Sequence, residues 1–381
     1  MLKQKKADFL LNLGCLDNIV ISIDGTKETH NRLRGAIVYD QVIQNVEYLI
    51  TKRNKCKKNI TIRINTVVTR DNINELCTHI TTLDNIGIDE WVGLQLVGDS
   101  DAQKSQEYTF DELLNLLKTL GEIDTKTKCS IVPKITQPLL VDYINKKYNY
   151  SLKIPIHTCG AGLSFGYIDW KGYIFPCDRA KNNDTTSAFY RANNLSGVNL
   201  LDSNLKDSVS TELFKKFSFI YDKSDKELSR NCKKCNFYQK ECTPCPIDRK
   251  FSNKIKNAHS DCERLFALEK ERLKTEIIAS YDNKQNVLFM KHITYNTDYI
   301  PFNLFDHENN KIYQIDDINF ISLLAILQPY KNGLSMKELL LQWIDYLSSE
   351  KSFVNSSVDE TVRSFEDVIN YLLSKCVIVL H

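Results

Sequence analysis

The stretch that decides the fold is Ile60-Thr-Ile-Arg-Ile-Asn-Thr-Val-Val68, which is dominated by β-branched side chains. Such side chains fit the pleated surface of a sheet, so the stretch predicts a strand. Ile19–Ile23 predicts an earlier strand and Trp91–Val97 a later one. Between the strands, residues 39–53 and 72–86 carry apolar side chains at helical spacing. The order βαβαβ predicts a parallel sheet with right-handed crossovers.

Three strands do not close a barrel, and the first would leave an apolar edge uncovered, which folded proteins normally avoid. We therefore expect further strands, either upstream of residue 1 or from another chain. Helices predicted near Asp111–Leu120 and Gln137–Lys147 connect this part to a cysteine-rich region at residues 159–262. The predicted helix Glu263–Tyr281 leads to a distinct C-terminal segment.

The C-terminal segment predicts a small α+β domain. Residues 302–305 and 311–315 flank the turn His307-Glu-Asn-Asn310, which is typical of a β-hairpin. Two capping boxes, Ser335-Met-Lys-Glu338 and Ser357-Val-Asp-Glu360, mark helix starts. The three predicted helices are 317–327, 337–347 and 358–373. With a final apolar strand, this order suggests a winged-helix-like domain.

Composition excludes several classes of function. The chain has 381 residues, 42% hydrophobic and 26% charged, with a formal net charge of +2. Such a charge gives no reason to expect nucleic acid or an anionic membrane as a partner. No apolar run approaches the roughly 18 residues of a membrane span, and the N-terminus lacks a signal peptide. We expect a cytoplasmic, globular protein.

Seven of the 12 cysteines form one ordered pattern in the second half of the chain. They are Cys159, Cys177, Cys232, Cys235, Cys242, Cys245 and Cys262. Without an export signal, such a pattern favours metal ligation over disulfides. Seven thiolates can supply most of the ligands of two four-iron clusters. The alternative is a zinc knuckle, which explains the two C-x2-C pairs but leaves Cys159, Cys177 and Cys262 without a role.

The other five cysteines are predicted to be structural or on the surface. Cys77 shares the apolar face of helix 72–86, so we expect a packed core thiol there. Cys376 precedes an apolar run and is interpreted in the same way. Cys15, Cys56 and Cys129 have no partner at ligand spacing.

Two motifs together resemble a known family. Ile21-Ser-Ile-Asp-Gly25, followed by His30, Arg32 and Arg34-Gly35, resembles the fourth-strand signature of radical S-adenosylmethionine enzymes. The cysteine array, with Gly172 five residues before Cys177, is similar to the SPASM extension of that family, which carries auxiliary iron–sulfur clusters. The resemblance covers roughly residues 10–275. It departs in one spacing, because the chain has C-x2-C-x6-C-x2-C where the family usually shows C-x2-C-x5-C-x3-C.

The resemblance implies two auxiliary [4Fe-4S] clusters. One would be held by Cys232, Cys235, Cys242 and Cys262, and the other by Cys159, Cys177 and Cys245 with a fourth position left unassigned. The implied fold class is α/β. The first domain would be the C-terminal part of a partial TIM-type (β/α)6 barrel, and the cysteine array would follow it. The implied domains are 1–105 (partial barrel), 106–158 (connecting helices), 159–282 (SPASM) and 283–381 (C-terminal).

By the same resemblance, Ser22 and Arg34 match positions that hold the methionine carboxylate of S-adenosylmethionine. A hydroxyl and a guanidinium suit that role; the alternatives are a backbone-bonded hydroxyl and a solvated charge. Asn65 either faces the ribose or is satisfied by the backbone. Asp178, directly after Cys177, matches a base that acts on substrate in sulfatase-maturing members, or else it orients the loop.

The family's C-x3-C-x2-C loop and its GGEP-type segment do not occur in residues 1–381. Without that cluster the polypeptide alone is expected not to cleave S-adenosylmethionine, which would bind only if the missing half is supplied. The C-terminal part, about 285–381, resembles the peptide-recognition element of the pyrroloquinoline-quinone chaperone type, which captures a precursor peptide by strand addition. A generic winged-helix appendage is the alternative.

Three hypotheses about function follow from these observations. The first is a truncated or split maturase that oxidises or cross-links a peptide side chain, with its catalytic-cluster half on a separate chain. The second is an iron–sulfur or zinc accessory protein that binds peptide without catalysis of its own. The third is a non-functional fragment, whose exposed strand edge would favour aggregation.

Overall fold

The structure, a computed structural model, describes most of the chain. The described residues are 4–13, 16–96, 108–158, 160–162, 166–181, 187–217, 232, 235–243, 260–281, 285–289, 293–296, 302–306, 311–315, 317–327, 329–330, 334–348, 353–354, 356–374 and 378–380. The chain divides into two compact units. Unit 1 is Met1–Glu227 with Asn236–Cys262, and unit 2 is Leu228–Cys235 with Glu263–His381.

Unit 1 is built on a parallel sheet of four strands in the order β1-β2-β3-β4. These strands are β1 Asn18–Ser22, β2 Thr61–Val68, β3 Glu90–Gln95 and β4 Ser130–Lys134. The helices that precede, connect and follow them are α1 Gln4–Asn12, α2 Lys27–Arg34, α3 Tyr39–Lys55, α4 Leu76–Ile86, α5 Phe110–Asp124 and α6 Pro138–Tyr148. A 3-10 turn, Ile73–Glu75, precedes α4.

The two faces of the sheet differ in character. Along β2, buried and half-buried residues alternate strictly. Ile62, Ile64 and Val68 are buried with the apolar sides of the connecting helices, because right-handed crossovers place those helices on one face. The opposite face carries Arg63 and Asn65, which are half-buried. The sheet therefore presents a polar face away from its helices.

The cysteine region of unit 1 contains a small antiparallel sheet in the order β5-β6-β7. Its strands are β5 Tyr167–Ile168, β6 Tyr173–Phe175 and β7 Val198–Asn199. Between β6 and β7 lie a 3-10 turn, Asp178–Ala180, and the short helix α7 Ser187–Ala192. After β7 come two more short helices, α8 Leu205–Val209 and α9 Glu212–Phe217.

Unit 2 contains α10 Ser260–Ser280 from Glu263 onward, together with two small sheets. Its other helices are α11 Ile318–Leu327, α12 Met336–Leu347 and α13 Val358–Ser374. One sheet has the order β11-β10-β9, from β9 Ile293–Asn296, β10 Phe302–Asp306 and β11 Lys311–Ile315. The other has the order β12-β8-β13, from β8 Asn286–Phe289, β12 Leu334–Ser335 and β13 Ile378–Leu380. Its core includes Trp343 and Phe365, both fully buried.

Most element predictions hold within one to four residues at each end. The antiparallel pairing of Phe302–Asp306 with Lys311–Ile315 confirms the hairpin, although its predicted turn at 307–310 lies outside the described residues. Both capping boxes form, with Glu338 N–H donating to Ser335 Oγ at 3.3 Å and Glu360 N–H to Ser357 Oγ at 3.1 Å. No helix among the described residues combines the length and apolarity that crossing a bilayer requires.

Two predictions in unit 1 are wrong. The sheet has a fourth strand, β4, that sequence patterns did not indicate, because it is short and contains Pro133, which only an edge strand tolerates. Cys77 is exposed and not packed in the core. The predicted helix start at residue 72 is a 3-10 turn, and the α-helix begins only at Leu76, so its buried face is formed by Leu76, His79, Ile80 and Leu83.

Candidate functional site

Asp24, the second residue after β1, is bonded through all of its polar groups. Its Oδ1 accepts the Val67 N–H at 3.1 Å, and its Oδ2 accepts from Arg34 Nη2 at 2.7 Å. Its own N–H donates to His30 Nδ1 at 3.1 Å, and its carbonyl accepts from Asn72 Nδ2 at 2.9 Å. This cluster, which we name the Asp24 node, joins β1, α2, β2 and the turn after β2 at the carboxyl edge of the sheet.

The loop after Asp24 is held by a second carboxylate. Glu75 accepts from Thr26 N–H at 2.9 Å, from Thr26 Oγ1 at 2.8 Å and from Thr29 Oγ1 at 3.1 Å. Gly25 has a φ of +137°, and a Cβ added there would lie 2.1 Å from Glu75 Oε1. The glycine of the Asp-Gly motif is therefore required by both the backbone conformation and the space.

His30 is buried within the Asp24 node. Burial lowers its pKa first, and the nearby Arg34 lowers it further. Because Nδ1 accepts the Asp24 N–H, the neutral imidazole carries its proton on Nε2. The histidine of this motif thus serves as a neutral acceptor that fixes the loop.

A buried polar triad lies behind the strand end. Thr66 Oγ1 donates to the Ile23 carbonyl at 2.7 Å and accepts from Trp91 Nε1 at 2.9 Å. His79 Nε2 lies 3.1 Å from the same hydroxyl. Since the single Thr66 proton is used on Ile23, Nε2 must be the donor of this third bond. Burial lowers the pKa of His79 to about 4, so the triad holds the strand end next to Asp24 with a neutral histidine.

The structure brings the predicted cofactor residues to one edge. Ser22 is exposed at the end of β1 and is the in-register partner of Asn65, so both side chains lie on the same face. Asn65 Oδ1 is buried and has no hydrogen-bond partner. Arg34, whose side chain is 43% exposed, reaches Asp24 two residues beyond Ser22. The hydroxyl, amide and guanidinium therefore line the carboxyl ends of β1 and β2.

The opposite end of the polar face is closed by charge pairs. Glu90, at the start of β3, is buried and forms ion pairs with Arg63 Nε and, at 2.6 Å, with Lys153 Nζ. The two cationic partners compensate the free-energy cost of burying the Glu90 carboxylate. We interpret this cluster as structural, because it lies at the amino end of the strands, away from the Asp24 node.

Gly172 and Cys177 are placed by the hairpin of β5 and β6. Asp169 accepts the N–H groups of Lys171 at 2.9 Å and Tyr173 at 3.0 Å, and Gly172, at a φ of +87°, closes the turn. Cys177 follows β6 and is buried against Ala161 and Tyr190, among others. The Gly-x4-Cys spacing is therefore the length from a hairpin turn to the end of its second strand.

Asp178 is exposed at the start of the 3-10 turn that follows Cys177. The Ala180 N–H donates to the Cys177 carbonyl at 3.1 Å, which folds the turn back over the cysteine. The structure therefore places an exposed carboxylate directly after a buried thiol.

Cys242 lies in a short parallel bridge with His157, which we name the Cys242 bridge. The His157 N–H donates to the Glu241 carbonyl at 2.6 Å, and the Thr243 N–H donates to the His157 carbonyl at 3.2 Å. Cys242 Sγ lies 3.5 Å from Gln137 Oε1. Gln137 follows β4, so this bridge also lies at the carboxyl edge of the sheet.

The remaining array cysteines are placed only in part. Cys262 is buried, and Cys232 and Cys235 are half-buried, with the Cys235 N–H donating to the Cys232 carbonyl at 3.1 Å. Cys159 and Cys245 lie outside the described residues. Within the described part of the chain, no three His, Cys, Asp or Glu side chains converge to hold a metal ion. Thiols in a C-x2-C pair suit zinc or iron chemically. The grouping of the array into two clusters stays a prediction.

Several residues of this edge had no sequence signal of their own. Asp24 lay inside the quoted motif, but its bonds to Val67 and Asn72 depend on the pairing of β1 with β2. Gln137 and His157 are bonded to a segment roughly 100 residues away. A spacing pattern cannot reveal such contacts, because it reports only local neighbours.

Comparisons with known proteins give remote likenesses. No protein-family model and no curated protein matches the chain. The solved structure of Streptococcus suis SuiB bound to precursor peptide SuiA matches 69% of this chain and 57% of that chain, with 15% identity and a TM-score of 0.47. The structure of SuiB bound to S-adenosylmethionine likewise matches 69% of this chain and 57% of that chain, with 16% identity and a TM-score of 0.46.

Native anSMEcpe with bound AdoMet matches 73% of this chain and 72% of that chain, with 17% identity and a TM-score of 0.45. The chain thus spans less than three-fifths of the SuiB chains it matches. At these identities and TM-scores, the likeness does not assign a function.

Proposed function

We propose that this chain is part of a radical S-adenosylmethionine maturase of the SPASM type, which oxidises or cross-links a side chain of a peptide or protein. The observation that carries the proposal is the shared carboxyl edge of the four-stranded sheet. The Asp24 node lies at the β1–β2 end of that edge and the Cys242 bridge at the β4 end. Three strand spacings of about 4.8 Å separate them by roughly 14 Å.

In this proposal the carboxyl edge binds S-adenosylmethionine. Ser22 and Arg34 would bind the methionine carboxylate, as the sequence resemblance implies. Asp24 would hold the Arg34 guanidinium in place through its ion pair. The buried Oδ1 of Asn65 provides an acceptor on the same face for a ligand hydroxyl or ammonium group.

The cysteine array would hold two four-iron clusters, with Cys232, Cys235, Cys242 and Cys262 on one and Cys159, Cys177 and Cys245 on the other. When bound, such clusters supply one-electron transfer. Asp178 would take a proton from the substrate at its exposed carboxylate. The thiolates of the C-x3-C-x2-C loop, which residues 1–381 do not contain, would come from another segment or chain.

Unit 2 would bind the precursor peptide. Its sheets have the orders β11-β10-β9 and β12-β8-β13, so each has outer strands to which a peptide can add. The alternative function, a zinc-containing accessory protein that binds peptide, is favoured by one observation: Cys232 and Cys235 form a C-x2-C pair joined by a backbone hydrogen bond, as in a zinc knuckle.

The deciding experiment is the iron, sulfide and zinc content of the anaerobically reconstituted chain. We expect roughly eight irons and eight sulfides per chain. Cys177→Ala and Cys232→Ala should each remove about four irons, because each cysteine is assigned to a different cluster. Cys77→Ala is the matched control, since Cys77 is exposed and outside the array. Stoichiometric zinc with little sulfide would instead support the accessory protein.

A further inference from the structure

We infer that His157 is a metal ligand that acts together with Cys242, so that the centre held by Cys242 includes one imidazole nitrogen. This inference rests on the proposed metal-binding role of the array. Sequence analysis assigns no role to His157, because this residue stands apart from the cysteine spacing.

The hydrogen-bond pattern fixes the relation between the two residues. The His157 N–H donates to the carbonyl of residue 241, and the N–H of residue 243 donates to the His157 carbonyl. That pair of bonds makes His157 and Cys242 in-register partners of a parallel bridge. In-register partners of a parallel bridge present their side chains to the same side. The imidazole and the thiol are therefore neighbours on one side.

The spacing of the array supports the same relation. The C-x2-C-x6-C-x2-C pattern places its third cysteine at position 242, one residue later than the spacing usual in the family that the array resembles. Position 241 lies in a turn, in which the Glu241 N–H donates to the Phe237 carbonyl at 3.1 Å. The bridge partner of His157 is therefore position 242, where this chain has its cysteine, and not position 241.

The surroundings of Cys242 also suit a metal ligand. Its Sγ is 3.5 Å from the Gln137 amide. Gln137 is the N-cap residue of α6, but its side chain makes no capping bond. A thiolate would be stabilised by the N–H side of this amide, which becomes available by rotation of the terminal group. Thr243 Oγ1 donates to the His157 carbonyl at 3.2 Å and fixes the backbone of the bridge.

Imidazole with thiolates is an established donor set for two metals. Zinc takes three cysteines and one histidine in structural sites. Iron–sulfur clusters accept histidine in place of cysteine on one iron, which raises the reduction potential. Both metals would use a nitrogen ligand beside sulfur ligands. The experiment below distinguishes zinc from iron.

The test uses the full chain with 15N-labelled histidine, reconstituted with iron and sulfide in one sample and loaded with Co²⁺ as a zinc substitute in another. We expect the reduced iron form to show a directly coordinated histidine nitrogen by pulsed electron paramagnetic resonance. If zinc is the metal, the Co²⁺ form should instead show the absorption of a sulfur–nitrogen site. His157→Ala should abolish the nitrogen signal and weaken metal retention against a chelator by about tenfold or more.

Two further variants make the test specific. His157→Cys should restore metal retention without the nitrogen signal. Thr243→Val removes the side-chain bond to the His157 carbonyl while leaving both ligands, and it should keep the nitrogen signal. The wild-type spectrum decides the question even if a variant folds poorly.

Bound metal without a histidine nitrogen in the wild-type protein would overturn the inference and leave the proposed metal site standing. A nitrogen signal that survives in His157→Ala would also overturn it, because another histidine would then be the ligand. A wild-type chain that binds neither iron nor Co²⁺ would overturn both this inference and the proposed clusters.

Discussion

The Asp24 node and the Cys242 bridge lie at the same edge of one sheet but are held by different means. Asp24 is bonded through both carboxylate oxygens, its N–H and its carbonyl, and its partners His30 and Asn72 are buried. The Cys242 bridge joins half-buried residues by two backbone bonds and two side-chain contacts. The difference suggests that the first region is preformed, whereas the second gains its order when its ligands are occupied.

The largest expected effect comes from a substitution that disrupts the preformed region around Asp24. Gly25→Ala places a Cβ 2.1 Å from Glu75 Oε1 at a φ of +137°. We expect a loss of about 3 kcal/mol in the free energy of unfolding, because strain and a displaced carboxylate add. The measurement is urea unfolding of the full chain followed by tryptophan fluorescence, to which the buried Trp91 contributes.

Gly35→Ala is the matched control for this prediction. Gly35 also has a positive φ, +62°, but no atom lies within 4 Å of an added Cβ. It should cost only about 1 kcal/mol. Equal losses for the two variants would show that the contact with Glu75 does not constrain the loop.

The next effect is the pH dependence of the preformed region. The pKa of His79 is lowered from 6.5 to about 4 by burial, so the unfolded chain takes up this proton first as the pH falls. The stability that His79 contributes is present above pH 6.5 and is lost progressively towards pH 4, about 3 kcal/mol in all at about 1.4 kcal/mol per pKa unit. Unfolding midpoints measured from pH 7.5 to 4.5 test this.

His79→Gln separates this group from its neighbours. Glutamine keeps a donor for Thr66 but does not titrate. The pKa of His30 is lowered as well, so part of the slope should remain in the variant. An unchanged slope would mean that His79 does not titrate in this range.

The ion pair of the node should give a smaller effect. In a double-mutant cycle of Asp24→Asn and Arg34→Gln, we expect a coupling of about 1 kcal/mol, since Asp24 is buried but Arg34 is 43% exposed. The control cycle uses the exposed ion pair of Arg32 with Asp71, at 2.9 Å. Arg32 lies on α2, the same helix as Arg34. That cycle should give less than about 0.5 kcal/mol. Equal couplings would argue against a special role for Asp24 in holding Arg34.

The same contrast explains what could be predicted from the sequence. The order of β1, β2 and β3, the helices between them and the two C-terminal capping boxes depend on local spacing, and they were predicted. β4 was missed because a five-residue strand with Pro133 resembles a loop. Cys77 was predicted to be packed but is exposed, because it lies beside the buried face that Leu76, Ile80 and Leu83 form.

The candidate site divides in the same way. Ser22, Asp24 and Arg34 occur within 13 residues, so a motif could indicate them. The pairing of His157 with Cys242 joins residues 85 positions apart, and neither helical nor strand periodicity reports it. Chain topology, which no local pattern encodes, brings these residues to one edge.

The smallest expected effect is on the Cys242 bridge itself. Thr243→Val should leave the urea midpoint of the metal-free chain unchanged within about 0.5 kcal/mol, because it removes one part-buried side-chain bond at 3.2 Å. Amide exchange of His157 and Thr243 should still rise several-fold, since local opening of a two-bond bridge costs little. Gln137→Ala should likewise leave the urea midpoint unchanged and raise amide exchange of His157 and Thr243. In the wild-type chain, metal loading should suppress this exchange. A large drop in the urea midpoint for either variant would show that the bridge is preformed, which would remove the contrast with the Asp24 node.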